Sequence, residues 1–124
     1  MYTILVIDDE PKIADIFRRF LIKSGFKGIV AFGGEEGTGV LRSEVKIDLV
    51  TLDMKMPGIT GFNVLKEMRK INKKIPVIIL TGSIDLENCL LADLQEVGFS
   101  REDILYKPLD LFAFLATVKK KLGI

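Results

Sequence analysis

Apolar runs of strand length recur at even intervals along the chain, with amphipathic helical patterns between them. The runs cover residues 4–7, 29–32, 47–52, 76–80 and 104–106, the second weaker and the fifth short. The first, third and fourth are continuous and rich in β-branched residues rather than alternating. Strands buried on both faces have that pattern, which predicts a parallel sheet covered by helices. Between the first two runs, Ile13, Ile16, Phe17, Phe20 and Leu21 repeat at helical spacing, with Lys12, Arg18, Arg19 and Lys23 elsewhere on the wheel. Pro11 suits the first turn of that helix and Gly25 its C-terminal cap. A second helix, about residues 35–42, is poor, because Gly37 and Gly39 each cost about 1 kcal/mol against Ala. Val64, Leu65, Met68 and Ile71 predict a third helix. Leu86, Leu90, Leu91, Leu94 and Val97 predict a fourth, ending at Gly98. Leu111, Phe112, Leu115, Val118 and Leu122 predict a last one, with Lys119, Lys120 and Lys121 in its final turn, where cations favour the helix dipole. Strand and helix alternate five times. Right-handed crossovers then give an α/β fold with a five-stranded, doubly wound parallel sheet. A chain of 124 residues forms one domain, residues 1–124, with no room for a second.

In such sheets ligands bind beyond the carboxyl ends of the strands, near the switch in strand order. The first strand exits into Asp8-Asp9-Glu10, the third into Asp53, the fourth into Thr81 and the fifth into Lys107-Pro108. Acids therefore leave two strands, a hydroxyl the third and an ammonium the fourth. Crowded carboxylates repel and raise one another's pKa unless a cation compensates. A divalent cation with oxygen ligands is the natural solution, and magnesium uses one or two carboxylates with waters and a phosphate oxygen. Asp8 and Asp9 would supply the metal. Asp53 would be either a third ligand or a nucleophile, since a carboxylate can attack phosphorus to form an acyl phosphate. Thr81 and Lys107 would hold the phosphoryl oxygens. Each residue alone is more often a turn residue, a helix cap or a solvated surface group. Four at successive strand exits argue for a site.

Composition narrows the chemistry further. The chain has no histidine, which removes the commonest general base, the Ser-His and Cys-His pairs and the usual zinc ligands. Lys plus Arg is 18 and Asp plus Glu 17, a net charge of +1 that gives no overall field to attract nucleic acid. One cysteine, Cys89, cannot form an internal disulfide, and nothing points to secretion. No basic leader precedes the first strand and no apolar run approaches the ~20 residues of a membrane span, so a cytoplasmic protein with no membrane contact is expected. Gly33-Gly34 with Gly37 and Gly39 does not match a dinucleotide fingerprint and reads as a flexible loop.

The whole chain resembles the receiver domain of two-component response regulators, in the single-domain, chemotaxis-regulator-like form. The resemblance rests on Asp8-Asp9, on the segment from Asp53 through Met56-Pro57 to Gly61, on Thr81 and on Lys107-Pro108. It implies a flavodoxin-like fold with Asp53 as phosphoacceptor. It implies magnesium held directly by Asp9, largely through water by Asp8, and by Asp53 and the backbone carbonyl of Lys55. It makes Thr81 the switch hydroxyl and Lys107 the ammonium that pairs with a phosphoryl oxygen. Pro108 would follow a cis peptide, and the side chains of Lys55 and Ser83 would flank the phosphoryl group and set its lifetime. The implied donor is a sensor histidine kinase or a histidine phosphotransfer protein, and the implied reader an unknown downstream protein rather than nucleic acid. Such a chain is not an enzyme beyond its own phosphorylation and dephosphorylation.

Three departures stand out. The family's aromatic switch position, three before the lysine, holds Ile104, and strand alternation puts Tyr106 on the same face as a substitute. The stretch from Thr81 to Lys107 is longer than the family leads one to expect, and residues 98–103 read as an enlarged loop. Gly82 stands where Ala is common. These features keep open a phosphorylation-independent interaction module of the same fold. An aspartate-nucleophile phosphatase is disfavoured, because no insertion is large enough to enclose a substrate. The helix of residues 86–97, the fifth strand and the last helix form the expected partner face, with Leu111 and Phe114 partly exposed.

Overall fold

A computed structural model describes residues 1–54, 61–71, 74–82, 92 and 94–124. Five parallel strands, β1 (Thr3–Ile7), β2 (Lys27–Ala31), β3 (Leu49–Asp53), β4 (Val77–Thr81) and β5 (Ile104–Tyr106), form one sheet in the order β2-β1-β3-β4-β5. The described helices are α1 (Pro11–Lys23), α2 (Gly34–Arg42), α3 (Gly61–Ile71) and α4 (Leu111–Leu122). The doubly wound α/β sheet expected from the pattern is therefore present. The body of the helix predicted from Leu86, Leu90 and Leu91, with Cys89, lies outside the described residues.

Alternation along each strand divides the core in two. Leu5, Ile7, Val50, Leu52 and Ile79 pack with Val64, Leu65 and Met68 of α3 on one face. Ile4, Val6, Leu49, Ile78 and Leu80 pack with Phe17 and Leu21 of α1 and Phe114 and Val118 of α4 on the other. Burial on both faces explains why β1, β3 and β4 read as unbroken apolar runs. The edge position of β2 leaves its first four residues half-buried or exposed, which explains its weaker pattern.

The helix boundaries follow local chemistry. Pro11 opens α1, and Gly25 follows it at φ 94°, with the Phe26 N–H reaching back to the Leu21 carbonyl at 3.0 Å. The poor second helix forms with its glycine face packed on β1. A Cβ at Gly37 would lie 2.5 Å from Ile7 Cδ1 and 2.9 Å from its Cγ1, so a side chain there would force the buried Ile7 to shift. Gly34, Gly37 and Gly39 are thus helical rather than part of a flexible loop.

Other expectations need correction. Ile16 is 52% exposed and Phe112 80% exposed, although both fit the apolar wheel. Phe114, expected at a partly exposed face, is fully buried, its ring 5.0 Å from that of Phe17. Residues 98–103 are not a loose loop. Phe99 is buried beneath the Arg69 guanidinium, whose carbon stands 4.1 Å from the ring centre. A 3-10 turn (Arg101–Asp103) follows, with Ser100 and Asp103 capping each other, and Lys121 of α4 pairs with Asp103. The insertion is fastened to helices on both sides of the sheet.

Candidate functional site

The switch in strand order falls between β1 and β3, since β2 lies on one side of β1 and β3 on the other. β1 leads into Asp8 and Asp9, and β3 ends in Asp53, so the acids emerge side by side at that crevice. One carboxylate oxygen from each of Asp8, Asp9 and Asp53 lies within 4.8 Å of the others. Asp8 and Asp53 are buried, and Asp9 is half-buried. Lys107, just past β5, places its Nζ 3.0 Å from Asp53 Oδ2. Asp8, Asp53 and Lys107 share the strand parity that faces α1 and α4. Thr81 ends β4 on the other parity, 4% exposed and in register with Tyr106, and its carbonyl accepts the Lys107 N–H at 2.8 Å.

The acids are uneven in their surroundings. Asp8 Oδ1 accepts the Glu10 N–H at 3.0 Å, which sets the backbone turn into α1. Asp8 Oδ2 is buried with no hydrogen-bond partner among the described residues. Burial is the main influence that raises the Asp8 pKa above its ordinary value, and the Asp53 and Asp9 charges push the same way. The Glu10 hydrogen bond and the Lys107 charge oppose them. A buried carboxylate with an unpartnered oxygen, clustered with two further carboxylates, is a donor set that fits a hard, oxygen-seeking cation.

All the described residues expected at the site converge: Asp8, Asp9, Asp53 and Lys107 directly, with Thr81 at the adjoining strand end. Lys55 and Ser83 lie outside the described residues, as does the Met56-Pro57 part of the motif. Its terminal glycine is explained by packing. A Cβ at Gly61 would stand 2.9 Å from the Met54 Cα, so α3 can begin against the end of β3 only with glycine there. The Lys107–Pro108 peptide is cis. Ile104 is buried at 7% exposure and Tyr106 is half-buried, both against the same core. Sequence reasoning missed the groove beside Lys107. It holds about 470 Å³ between α1 and the β5–α4 connection and is lined by Ile13, Ile16, Phe17 and Leu109. The sequence carried no signal for it, since Ile13 and Ile16 fit the apolar stripe of α1 and only the structure leaves them half-exposed and exposed.

Among the described residues, no helix is long and apolar enough to cross a membrane. A family model described as the response regulator receiver domain matches residues 4–119. The chain is 33% identical over 119 residues to sporulation initiation phosphotransferase F of Bacillus subtilis, covering 96% of this chain and 92% of that protein. It is 30% identical to the response regulator GtcR of Aneurinibacillus migulanus over 97% of this chain, but spans only 47% of that longer protein. A response regulator receiver domain protein from Clostridium thermocellum superposes with a TM-score of 0.86 at 34% identity, covering 99% and 95% of the two chains. One from Methanospirillum hungatei gives 0.87 at 26% identity, covering 99% and 94%. Fold, strand-end chemistry and these matches agree, and the chain belongs to the receiver domain family of two-component response regulators.

Proposed function

We propose that this chain accepts a phosphoryl group on Asp53 from a phosphohistidine of a sensor histidine kinase or histidine phosphotransfer protein, and that the modification alters its binding to a downstream protein. The observation that carries this reading is the cluster of Asp8, Asp9 and Asp53, with the Lys107 ammonium 3.0 Å from Asp53. In the transfer a carboxylate oxygen of Asp53 attacks phosphorus. The donor's N–P bond breaks, and the leaving imidazole keeps that electron pair and takes a proton from solvent. The chain has no histidine, so the donor phosphohistidine must belong to another protein.

Asp8 and Asp9, with Asp53 and the Lys55 backbone carbonyl, would hold magnesium. When bound, the ion neutralises charge on the phosphoryl oxygens. Lys107 would exchange its Asp53 carboxylate contact for a phosphoryl oxygen, and Thr81 would donate its hydroxyl to another. The added charge of roughly −1.5 to −2 gives both groups a reason to move. Tyr106, in register with Thr81, would move with it, since Ile104 is locked in the core. Localisation in the cytoplasm follows from the same reading, where kinase and acceptor meet. The role is that of a switch rather than of an enzyme acting on a separate substrate.

Beryllofluoride with magnesium, followed by NMR, tests the reading. The amide signals of Thr81 and Lys107 should shift, and Asp53→Asn should abolish the response. An unchanged spectrum with both reagents present would refute it and favour a phosphorylation-independent module. Turnover of a general phosphomonoester would instead favour a phosphatase.

A further inference from the structure

The net charge of +1 conceals a separation of charge along the strand axis. Asp8, Asp9, Glu10 and Asp53 gather at the carboxyl ends of the strands. At the opposite rim a groove of about 360 Å³ opens between the end of α3, the start of β4, the Arg101–Asp103 turn and the last turns of α4. Among the described residues, Arg69, Lys74, Lys120 and Lys121 line it against Glu102 and Asp103. β4 runs from this rim at Val77 to the other at Thr81. Four steps of ~3.3 Å put the two rims about 13 Å apart. That exceeds the screening length of about 8 Å at physiological ionic strength, so a partner at either rim meets that rim's charge rather than the sum.

The cations come from three separate elements and are held to different degrees. Arg69 is fixed, its guanidinium stacked on Phe99 and donating to the Ile75 carbonyl at 3.1 Å. Lys121 is paired with Asp103 and forms a wall. Lys74 and Lys120 are exposed, and Lys120 makes no ion pair with a described residue. Half-buried Pro76 supplies an apolar floor.

We propose that this groove docks an acidic peptide segment of a partner protein, with one apolar side chain against Pro76 and flanking carboxylates on Lys74 and Lys120. The groove has room for a few side chains, and Glu102 and Asp103 on its rim would oppose the closely spaced phosphates of a duplex. An occupant here leaves the Asp53 end open, so docking and phosphoryl transfer can coexist. The inference does not depend on Asp53 accepting phosphate.

The test is fluorescence anisotropy with a labelled short peptide of glutamates around one leucine, on the full chain. Lys74→Glu with Lys120→Glu should weaken binding by about tenfold or more, as expected for two exposed charge pairs reversed. Lys23→Glu with Lys27→Glu makes the same charge change beside the far edge strand and should leave affinity within about twofold. Thermal unfolding of both variants checks that they fold. Amide shifts of the unmodified chain on adding peptide give a second reading, expected at Glu102 and the end of α4. Absence of binding, equal loss in both variants, shifts at the Asp53 end, or tighter binding of a duplex oligonucleotide at the same lysines would each overturn the proposal.

Discussion

Replacing Asp8 by Asn should make the protein more stable without divalent cations and unresponsive to them. Two unit charges 4.8 Å apart repel by about 3.5 kcal/mol at an effective dielectric constant of 20. Asp8 faces Asp53 and Asp9 at no more than that separation, Asp9 half in solvent. The Lys107 ammonium offsets part of the repulsion, and Asn keeps an oxygen to accept the Glu10 N–H. Its amide can also donate toward Asp53 or Asp9, where Asp8 Oδ2 now has no partner among the described residues. A net relief of about 1–2 kcal/mol is reasonable after these offsets. At ~2.1 cal/mol/K of unfolding entropy per residue, each kcal/mol is worth roughly 4 °C in a chain of this length, so Tm should rise by about 4–8 °C. The sign with pH follows from the raised pKa of Asp8. A folded state that binds the proton more tightly than the unfolded chain loses stability as pH climbs through that pKa. The advantage of Asn over Asp should therefore grow from acid toward neutral pH. Thermal unfolding in EDTA and in millimolar magnesium measures all of this. Magnesium should raise the Tm of the parent and barely move that of the variant. A variant less stable than the parent in EDTA, or one that keeps the full magnesium shift, would refute both the electrostatic argument and the metal assignment.

Two glycines in one helix should respond oppositely to alanine. Gly39→Ala meets nothing within 4 Å and should stabilise by up to about 1 kcal/mol, whereas Gly37→Ala drives a methyl into Ile7 and should cost about 1–3 kcal/mol. Urea unfolding of both resolves the question, and equal effects would show that α2 does not pack this closely on β1. Thr51→Val should raise stability by about 1 kcal/mol, because the buried Thr51 hydroxyl has no hydrogen-bond partner among the described residues. A lower Tm would mean that the hydroxyl is satisfied in solution. Lys121→Met should loosen the Arg101–Asp103 turn by removing its tie to α4, seen as faster amide exchange at residues 101–103 with the sheet amides unchanged. Unaltered exchange would assign the order of that turn to Phe99 and Arg69 alone.

The architecture and the positions of the strand ends were legible in the order of the residues. Continuous β-branched runs of strand length fit strands covered on both faces, and parallel strands place every carboxyl end on one rim. Asp8, Asp9, Asp53, Thr81 and Lys107 were legible for that reason, each being the first polar residue after an apolar run or, for Asp9, the second. Tertiary structure decided which apolar residues are covered. A helical wheel shows a stripe but not its partner, so it put Phe112 on the packed stripe and Phe114 at a partly exposed face, and the packing of Phe17 of α1 against Phe114 reverses the two. It also decided why Gly37 and Gly61 suit glycine, since the atoms that crowd a Cβ, in Ile7 and Met54, lie outside their own helices. The longer stretch before β5 was visible as length, but its packing depends on Arg69 and Lys121, far away along the chain. Net charge was a property of the composition. Its separation into an acidic rim and a basic rim arises only when strands and helices are laid side by side, because charge adds along the chain but acts through space.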